Sequence, residues 1–241
     1  MLPYIYIVLP SYSVMAFLGS FAVLTFLFFR LDDYELTFKE FLMMFAIGGI
    51  GCLLGSKLLF FLTVLPTLAQ PTFFELVNHF LLSGYVFYGG LFGTLTAIGI
   101  FSKRAHKNIG AIHRLIAPAL PLFHGFGRIG CFLAGCCYGV ALDAPIVLVD
   151  GIELERLPTQ LIEAAFEFMM FGVLCSLGRR YPKIDLLKVY LMSYAAFRFA
   201  IEFVRDDPDR GIWFGVSTSQ WISLLILGYY LSKMLLKSRP R

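Results

Sequence analysis

The chain contains a series of apolar runs, each about as long as a helix that crosses a lipid bilayer. The first run, residues 1–29, has no charged side chain. An α-helix of about 20 apolar residues crosses the roughly 30 Å of hydrocarbon in a bilayer. Six more runs follow, at residues 41–65, 80–102, 115–139, 158–178, 186–204 and 212–231. The pattern predicts an all-α, polytopic membrane protein with about seven transmembrane helices, built as a single domain over residues 1–241.

The basic residues between these runs indicate the orientation, because cytoplasmic loops are enriched in Lys and Arg. If there are seven helices, fourteen basic residues lie on one side of the membrane. The other side then has three, namely Arg156, Arg205 and Arg210. The split predicts a multi-pass protein with its N-terminus outside the cell and a cytoplasmic C-terminus. The basic residues do not form a nucleic-acid-binding surface, so no nucleic acid is expected as a partner.

Charged residues inside three of the apolar runs are the first indication of a functional site. Arg128 stands alone in an apolar run, where a charge costs roughly 2.5–3.5 kcal/mol on insertion scales. Residues spaced about one helical turn apart form polar stripes in the fifth and sixth runs. The stripes consist of Gln160, Glu163 and Glu167, and of Tyr190, Tyr194, Arg198 and Glu202. Two interpretations stay open: hydrogen bonds that join helices, or the lining of a polar cavity, which we favour.

The two arginines favour an anion site for a phospholipid head group. Arginine grips phosphate oxygens with two parallel hydrogen bonds and keeps its charge at any physiological pH. We therefore expect Arg128 and Arg198 to hold the phosphate, with Glu202 and Arg205 orienting them. Gln160 and Glu163 complete the predicted cavity, which we expect to open to the outer leaflet. The alternative for Arg128 is a buried structural ion pair.

Pairs of glycines four residues apart are typical of helices that pack closely in membranes. The chain has three such pairs, Gly51/Gly55, Gly89/Gly93 and Gly135/Gly139. We interpret them as helix crossings. Lys57, the one charge in the second run, either contacts a head group or extends its amine to the interface.

Several of these residues occur together in a known pattern. They include the segment from Tyr12 to Gly19, Tyr88-Gly89-Gly90-Leu91, Gly127-Arg128-Ile129-Gly130 with Phe132, Pro158-Thr159-Gln160-Leu161 with Glu163, Tyr194, Arg198-Phe199, Glu202-Phe203, Arg205, Gly215, Ser217 and Gln220. In order and spacing the chain resembles the bacterial prolipoprotein diacylglyceryl transferases. The resemblance covers most of the chain.

The resemblance implies an activity and its substrates. Such an enzyme transfers the diacylglyceryl group of phosphatidylglycerol to the cysteine thiol in the lipobox of a prolipoprotein signal peptide, and releases glycerol phosphate. The resemblance further implies a place in the bacterial plasma (inner) membrane, among the membrane lipids. A displacement of this kind needs no cofactor or metal. The resemblance also implies that Arg128 and Arg198 are essential.

The chain departs from the family at positions that carry polar groups. The family's motif has two asparagines and a glutamate where this chain has Cys131, Ala134 and Cys136. A histidine usual in the third helix is replaced by Tyr88. We therefore expect the proton of the reaction to pass to His124, one helical turn before Arg128, to Tyr88, or to bulk water if the thiol is already acidic.

Three cysteines follow Arg128 closely, at Cys131, Cys136 and Cys137. They are interpreted as small packing residues, as redox-active or nucleophilic thiols, or as metal ligands. The sequence gives least support to metal binding, because the spacing lacks the separated pairs of zinc sites. Two other functions stay open for the whole chain: a paralogue with a different acceptor, and a lipid-binding or transport protein without catalysis.

Overall fold

The computed structural model describes residues 4–5, 9–65, 72–82, 84–147, 153–206 and 211–238. This part of the chain is mostly helical, as predicted. Four of its helical segments are long and apolar enough to cross a membrane. They are Ser11–Phe28, Phe38–Thr63, Ile109–Ala134 and Thr159–Arg180. A helical membrane protein is therefore confirmed.

The helices account for most of the described chain. They are α1 (Ser11–Phe28), α2 (Phe38–Val64), α3 (Phe73–Leu82), α4 (Phe87–Arg104), α5 (Ile109–Ile116), α6 (Ala119–Ala134), α7 (Thr159–Arg180), α8 (Leu186–Ile201) and α9 (Thr218–Ser238). Short 3-10 turns cover Asp32–Tyr34 and Glu202–Val204. The strands form three two-stranded antiparallel pairs. They are β1 (Tyr4–Ile5) with β2 (Leu9–Pro10), β3 (Ala141–Val147) with β4 (Glu153–Arg156), and β5 (Ile212–Trp213) with β6 (Val216–Ser217).

The chain forms two compact units. Unit one comprises Met1–Leu27 and Ile116–Arg241, and unit two comprises Phe28–Leu115. In unit one α6 packs against α7, and α8 packs against α7 and α9. In unit two the main contact is between α2 and α4.

Glycines make the α2–α4 contact possible. A Cβ atom on Gly55 would collide with the backbone of Gly89, and one on Gly51 would collide with that of Gly93. The two helices therefore approach backbone to backbone, which only glycine permits. Helix crossings predicted at these two glycine pairs are confirmed.

The N-terminus of α2 is fixed by a capping box. The Thr37 hydroxyl accepts a hydrogen bond from the Glu40 amide at 3.3 Å, and the Glu40 carboxylate accepts one from the Thr37 amide at 2.9 Å. Such pairs satisfy amide groups that have no partner inside the helix. Lys107 lies 3.1 Å from the same carboxylate.

Lys57, within α2, donates to the Phe80 carbonyl at 3.3 Å and stacks over the Tyr85 ring.

The predicted run 115–139 is not one continuous helix. Helix α5 ends at Ile116, and α6 begins at Ala119 after Pro118, whose ring prevents a continuous helical hydrogen-bond ladder. Helix α6 ends at Gly135, which has the left-handed φ of 77° that ends many helices. Residues up to Gly139 lie beyond the helix, so the helix crossing predicted for Gly135/Gly139 is wrong.

Two further differences concern segments that the sequence pattern did not resolve. The predicted run 80–102 corresponds to α4, which begins only at Phe87 because Val86 is extended, and a separate helix α3 precedes it. The β3–β4 hairpin was not predicted, since its short strands are mostly exposed and lack a clear alternation of apolar and polar residues.

The start of the first predicted run at residues 1–3 and 6–8 lies outside the described residues. So do Arg210, Arg239 and Arg241.

Candidate functional site

Helices α6, α7 and α8 bring the predicted polar residues of unit one together. Helix α6 contributes His124 and Arg128, which lie one turn apart on the face that packs against α7. The remaining members come from α7 and from α8 with the 3-10 turn that follows it. They are Glu163, Glu167, Tyr190, Tyr194, Arg198 and Glu202, and all are buried. The two predicted stripes therefore face one another in a common polar cluster.

Glu163 is the centre of this cluster. Its Oε2 atom lies 3.0 Å from Nε of Arg128 and 3.5 Å from Nη1 of Arg198. Its Oε1 atom accepts a hydrogen bond from the Tyr194 hydroxyl at 3.0 Å. Two guanidinium groups from different helices thus converge on one carboxylate oxygen.

Glu167 holds the other side of the cluster. Its Oε1 atom lies 2.8 Å from Nδ1 of His124, and its Oε2 atom accepts a hydrogen bond from the Tyr190 hydroxyl at 3.1 Å. Nε2 of His124 accepts a hydrogen bond from Nε of Arg128 at 3.2 Å. These partners assign the imidazole proton to Nδ1, because Nε2 receives a donor and Nδ1 faces an acceptor.

Glu202 extends the polar cluster to the 3-10 turn that follows α8. Its Oε2 atom lies 2.9 Å from Nη2 of Arg198, four residues earlier, a spacing at which opposite charges pair along a helix. The Nε atom of Arg205 lies 4.0 Å from the same oxygen. Nη2 of Arg198 also donates to Oγ of Ser219, at 3.2 Å.

Nη1 of Arg198 and Oε1 of Gln160 are buried polar atoms without a hydrogen-bond partner among the described residues. Nη1 of Arg198 keeps only its 3.5 Å ion-pair contact with Glu163. Buried polar atoms normally have partners, and an exception indicates a place where a ligand or water binds. Gln160 also lines a cavity of about 220 Å³ together with Phe132, Tyr138 and residues of β4.

The burial of so many charges constrains the site. Removing one member of a buried ion pair leaves its partner uncompensated and costs about 3–5 kcal/mol. Glu163 balances the positive charges of both Arg128 and Arg198, so the three side chains form one ion-pair network. The cluster therefore presents its arginines in fixed positions before any ligand arrives.

The structure brings most of the predicted site residues together. His124, Arg128, Glu163, Arg198, Glu202 and Arg205 belong to the cluster, and Gln160 lies on the same helix as Glu163. Tyr88 belongs to unit two, where it is buried at the start of α4 and contacts the rings of Phe87 and Phe92.

The site also contains residues to which the sequence analysis gave no individual role in binding or catalysis. Glu167 and Tyr190 were members of the polar stripes, and their four-residue spacing from Glu163 and Tyr194 was the available signal. Ser219 had no such signal, because a serine near the start of a helix is usually a cap.

The three cysteines lie beside this cluster. Nη1 of Arg128 is 3.9 Å from Sγ of Cys131. Hydrogen bonds from α7 hold the backbone of the other two, since Thr159 donates to the Cys137 carbonyl at 2.8 Å and Gln160 donates to the Cys136 carbonyl. Packing alone does not explain this arrangement, because the Cys136 side chain is exposed.

Comparison with known proteins matches this chain to one family along almost its whole length. The model of the family described as prolipoprotein diacylglyceryl transferase matches residues 2–235. The chain belongs to this family. It is accordingly a transferase, and the resemblance predicted from the motifs is confirmed.

Individual members of the prolipoprotein diacylglyceryl transferase family are similar over most of their length. A phosphatidylglycerol–prolipoprotein diacylglyceryl transferase of Clostridium tetani is 32% identical over 231 residues, which cover 91% of this chain and 90% of the relative. The phosphatidylglycerol–prolipoprotein diacylglyceryl transferase 2 of Clostridium perfringens is 35% identical over 187 residues, which cover 74% of this chain and 71% of the relative. One from Bordetella avium is 32% identical over 79% of this chain and 74% of its own.

Proposed function

We propose that this protein transfers the diacylglyceryl group of phosphatidylglycerol to the cysteine thiol of a prolipoprotein. The family supports the reaction, and the buried cluster of unit one supports the place where it occurs. The observation that carries the proposal is the convergence of Arg128 and Arg198 on one oxygen of Glu163. A site that holds two guanidiniums around one anionic oxygen is suited to a phosphate.

The donor phosphate binds between the two arginines. Nη1 of Arg198, which makes no hydrogen bond to a described residue, donates to one phosphate oxygen. Arg128 offers its guanidinium from the opposite helix, and Glu202 keeps Arg198 in position from 2.9 Å. Arg205 stays beside Glu202 and stabilises its charge. Gln160, at the cavity near Cys136, contacts the glycerol part of the donor.

The chemical step is a displacement at a carbon of the donor's glycerol. The acceptor sulfur forms a bond to the glycerol carbon that carries the phosphate ester oxygen, and the carbon–oxygen bond breaks. The electron pair of that bond leaves with glycerol phosphate. Arg128 and Arg198 lower the barrier because they already surround the oxygen on which the negative charge grows.

His124 accepts the proton of the thiol in this proposal. Its Nδ1–H is held by Glu167, which leaves Nε2 as the basic nitrogen. Nε of Arg128 engages this Nε2 atom at 3.2 Å. When an oxygen of the donor phosphate takes over the hydrogen bond of this Nε–H group, Nε2 can act as a base. Tyr88 of unit two stays the alternative base.

The placement in the membrane is part of the proposal. Seven spans, an external N-terminus and a cytoplasmic tail put fourteen basic loop residues on the cytoplasmic side of the bacterial inner membrane. The site then opens to the outer leaflet, where it receives phosphatidylglycerol from the surrounding membrane lipids. There it also meets the lipobox region of the signal peptide.

One observation favours a second candidate, a paralogue with a different acceptor. Cys131 and Cys136 occupy family positions for asparagine and glutamate, and Cys131 lies 3.9 Å from Arg128 in the site itself. Different side chains next to the phosphate change which acceptor substrate fits on that side of the site. The donor and the arginine pair are the same in both candidates.

Complementation distinguishes the two candidates. The gene product is expressed in bacteria depleted of their own diacylglyceryl transferase, and the N-terminal peptide of a lipoprotein is examined by mass spectrometry. Diacylglyceryl on the lipobox cysteine supports the first candidate. Lack of this product, with phosphatidylglycerol still consumed by the purified protein, supports the paralogue. If the purified protein consumes no phosphatidylglycerol, both are excluded.

A further inference from the structure

The three cysteines next to Arg128 form a compact cluster of sulfur atoms. The Sγ atoms of Cys131, Cys136 and Cys137 all lie within 4.8 Å of one another. All three are free thiols, one buried, one half-buried and one exposed. The sequence spacing lacks the separated pairs of a zinc site, but the fold supplies the convergence that the spacing does not.

The backbone is folded to produce this convergence. Helix α6 ends at Gly135 in a left-handed conformation, and the Cys136 amide donates to the Cys131 carbonyl at 3.1 Å. Cys137 itself has a φ of 61°, a left-handed conformation unusual for a residue with a side chain. Such a conformation persists only where the surroundings fix it. Here Thr159 and Gln160 fix it, through the carbonyls of Cys137 and Cys136.

We propose that Cys131, Cys136 and Cys137 bind one thiophilic metal cation, Cu(I) or Zn(II). Thiolates are the soft ligands that these cations prefer. At a metal–sulfur distance of about 2.3 Å, three sulfurs arranged in a trigonal plane are about 4 Å apart. The Sγ–Sγ distances in the structure are at most 4.8 Å, and small side-chain movements shorten them to about 4 Å. Three S–H bonds lose their protons to solvent and three metal–sulfur bonds form, without any change of oxidation state.

Arg128 favours the metal-loaded form electrostatically. Three thiolates carry three negative charges, so the centre stays anionic with either cation. The guanidinium of Arg128, 3.9 Å from Sγ of Cys131, compensates that charge. Outer partners of this kind are worth about 10–100-fold in metal affinity. The exposed side chain of Cys136 gives the cation a route to the site.

Cadmium binding tests the proposal without using transferase activity. The full chain is purified in detergent under anaerobic, reducing conditions, and Cd(II) is titrated while the ultraviolet thiolate-to-cadmium absorption is recorded. We expect one Cd(II) per chain. Cys136→Ser, a change at an exposed position, removes a ligand and should lower the affinity by at least about tenfold, the smallest loss typical of removing even an outer partner. Cys131→Ser should do the same.

Two cysteines outside the cluster provide the matched control. Cys52 lies in α2 and Cys175 in α7, and the double variant Cys52→Ser, Cys175→Ser should bind Cd(II) as the parent does. Unchanged absorption and affinity in both Cys136→Ser and Cys131→Ser would overturn the proposal. It would also be overturned if the parent takes up no Cd(II), or if mass spectrometry finds a disulfide within the cluster in anaerobically purified protein.

Discussion

Nδ1 of His124 and Oε1 of Glu167 are 2.8 Å apart in the interior of unit one, and both side chains are buried. The carboxylate fixes the ring orientation and keeps the proton on Nδ1, so Nε2 points toward Arg128 as an acceptor. The same imidazole lies edge-on against the Tyr194 ring, with ring centroids 5.3 Å apart. Glu167, Arg128 and Tyr194 therefore hold His124 on three sides.

His124→Gln should lower kcat by about 10²–10⁴-fold, the usual contribution of a positioned acid or base. Glutamine keeps the approximate size and a hydrogen-bonding end, so insertion and donor binding should change little. The rate is measured with phosphatidylglycerol vesicles and a lipobox peptide, at matched protein levels. Full activity of this variant would remove His124 as the base and make Tyr88 the leading candidate.

Glu167→Gln separates positioning from general loss of structure. The variant keeps an acceptor for the Tyr190 hydroxyl but loses the charge that fixes the His124 tautomer. We expect kcat to fall by less than in His124→Gln while KM for the donor changes little. A higher KM for the donor with an unchanged kcat would show that Glu167 acts on the phosphate site and not on the imidazole.

Arg128→Ala and Arg198→Ala should each abolish transfer. Arg128→Lys should lose most of the activity, because a lysine ammonium does not reproduce the two-point grip of a guanidinium. Donor binding is measured in parallel by retention of labelled phosphatidylglycerol. The matched control is Arg180→Ala, which removes an exposed arginine from the last turn of α7.

Stability has to be measured for the same arginine variants. Loss of either arginine leaves Glu163 with less compensation, at a cost of about 3–5 kcal/mol for a fully buried pair. The double variant Arg128→Ala, Glu163→Ala removes charge and countercharge together and should recover part of this loss without recovering transfer. Arg128→Ala with activity within a few fold of the parent would contradict the phosphate site.

The sequence indicated the members of the buried polar cluster more clearly than the borders of the helices. Charges in an apolar run are costly, so Arg128, Glu163 and Arg198 each stood out in the sequence. Which carboxylate joins the two arginines depends on how α6, α7 and α8 pack, and spacing within single helices does not contain that information. The break before Ala119 and the β3–β4 hairpin depend on local backbone geometry that hydrophobicity does not reveal.

The cysteine cluster illustrates the same limit. Three cysteines within seven residues permitted packing, redox and metal-binding interpretations, because a linear spacing does not show where sulfur atoms meet. The left-handed backbone at Cys137 and the hydrogen bonds from α7 bring them together. Neither feature has a signal in the sequence.

The orientation is tested by cysteine labelling from outside the cell. Asp143→Cys places a thiol on the exposed strand β3, and Ser238→Cys places one at the end of α9. With a membrane-impermeant reagent, intact cells should add label at position 143 relative to the parent chain and none at position 238. After the cells are opened both should react. Equal labelling in intact cells would contradict the seven-span arrangement.

The last prediction concerns the glycine contact between α2 and α4 in unit two. A Cβ atom on Gly55 would meet the Gly89 carbonyl oxygen and the Gly93 Cα atom at distances too short for any side chain to relieve. Gly55→Ala should therefore force the helices apart and destabilise the protein by about 1–3 kcal/mol, the usual cost of overpacking. Gly49 lies on the same helix, and a Cβ atom there would meet no neighbouring atom of the described chain within 4 Å. Gly49→Ala is therefore the matched control and should not destabilise the protein. Thermal unfolding in detergent compares the two variants directly, and equal stability would mean that α2 and α4 do not meet at Gly55.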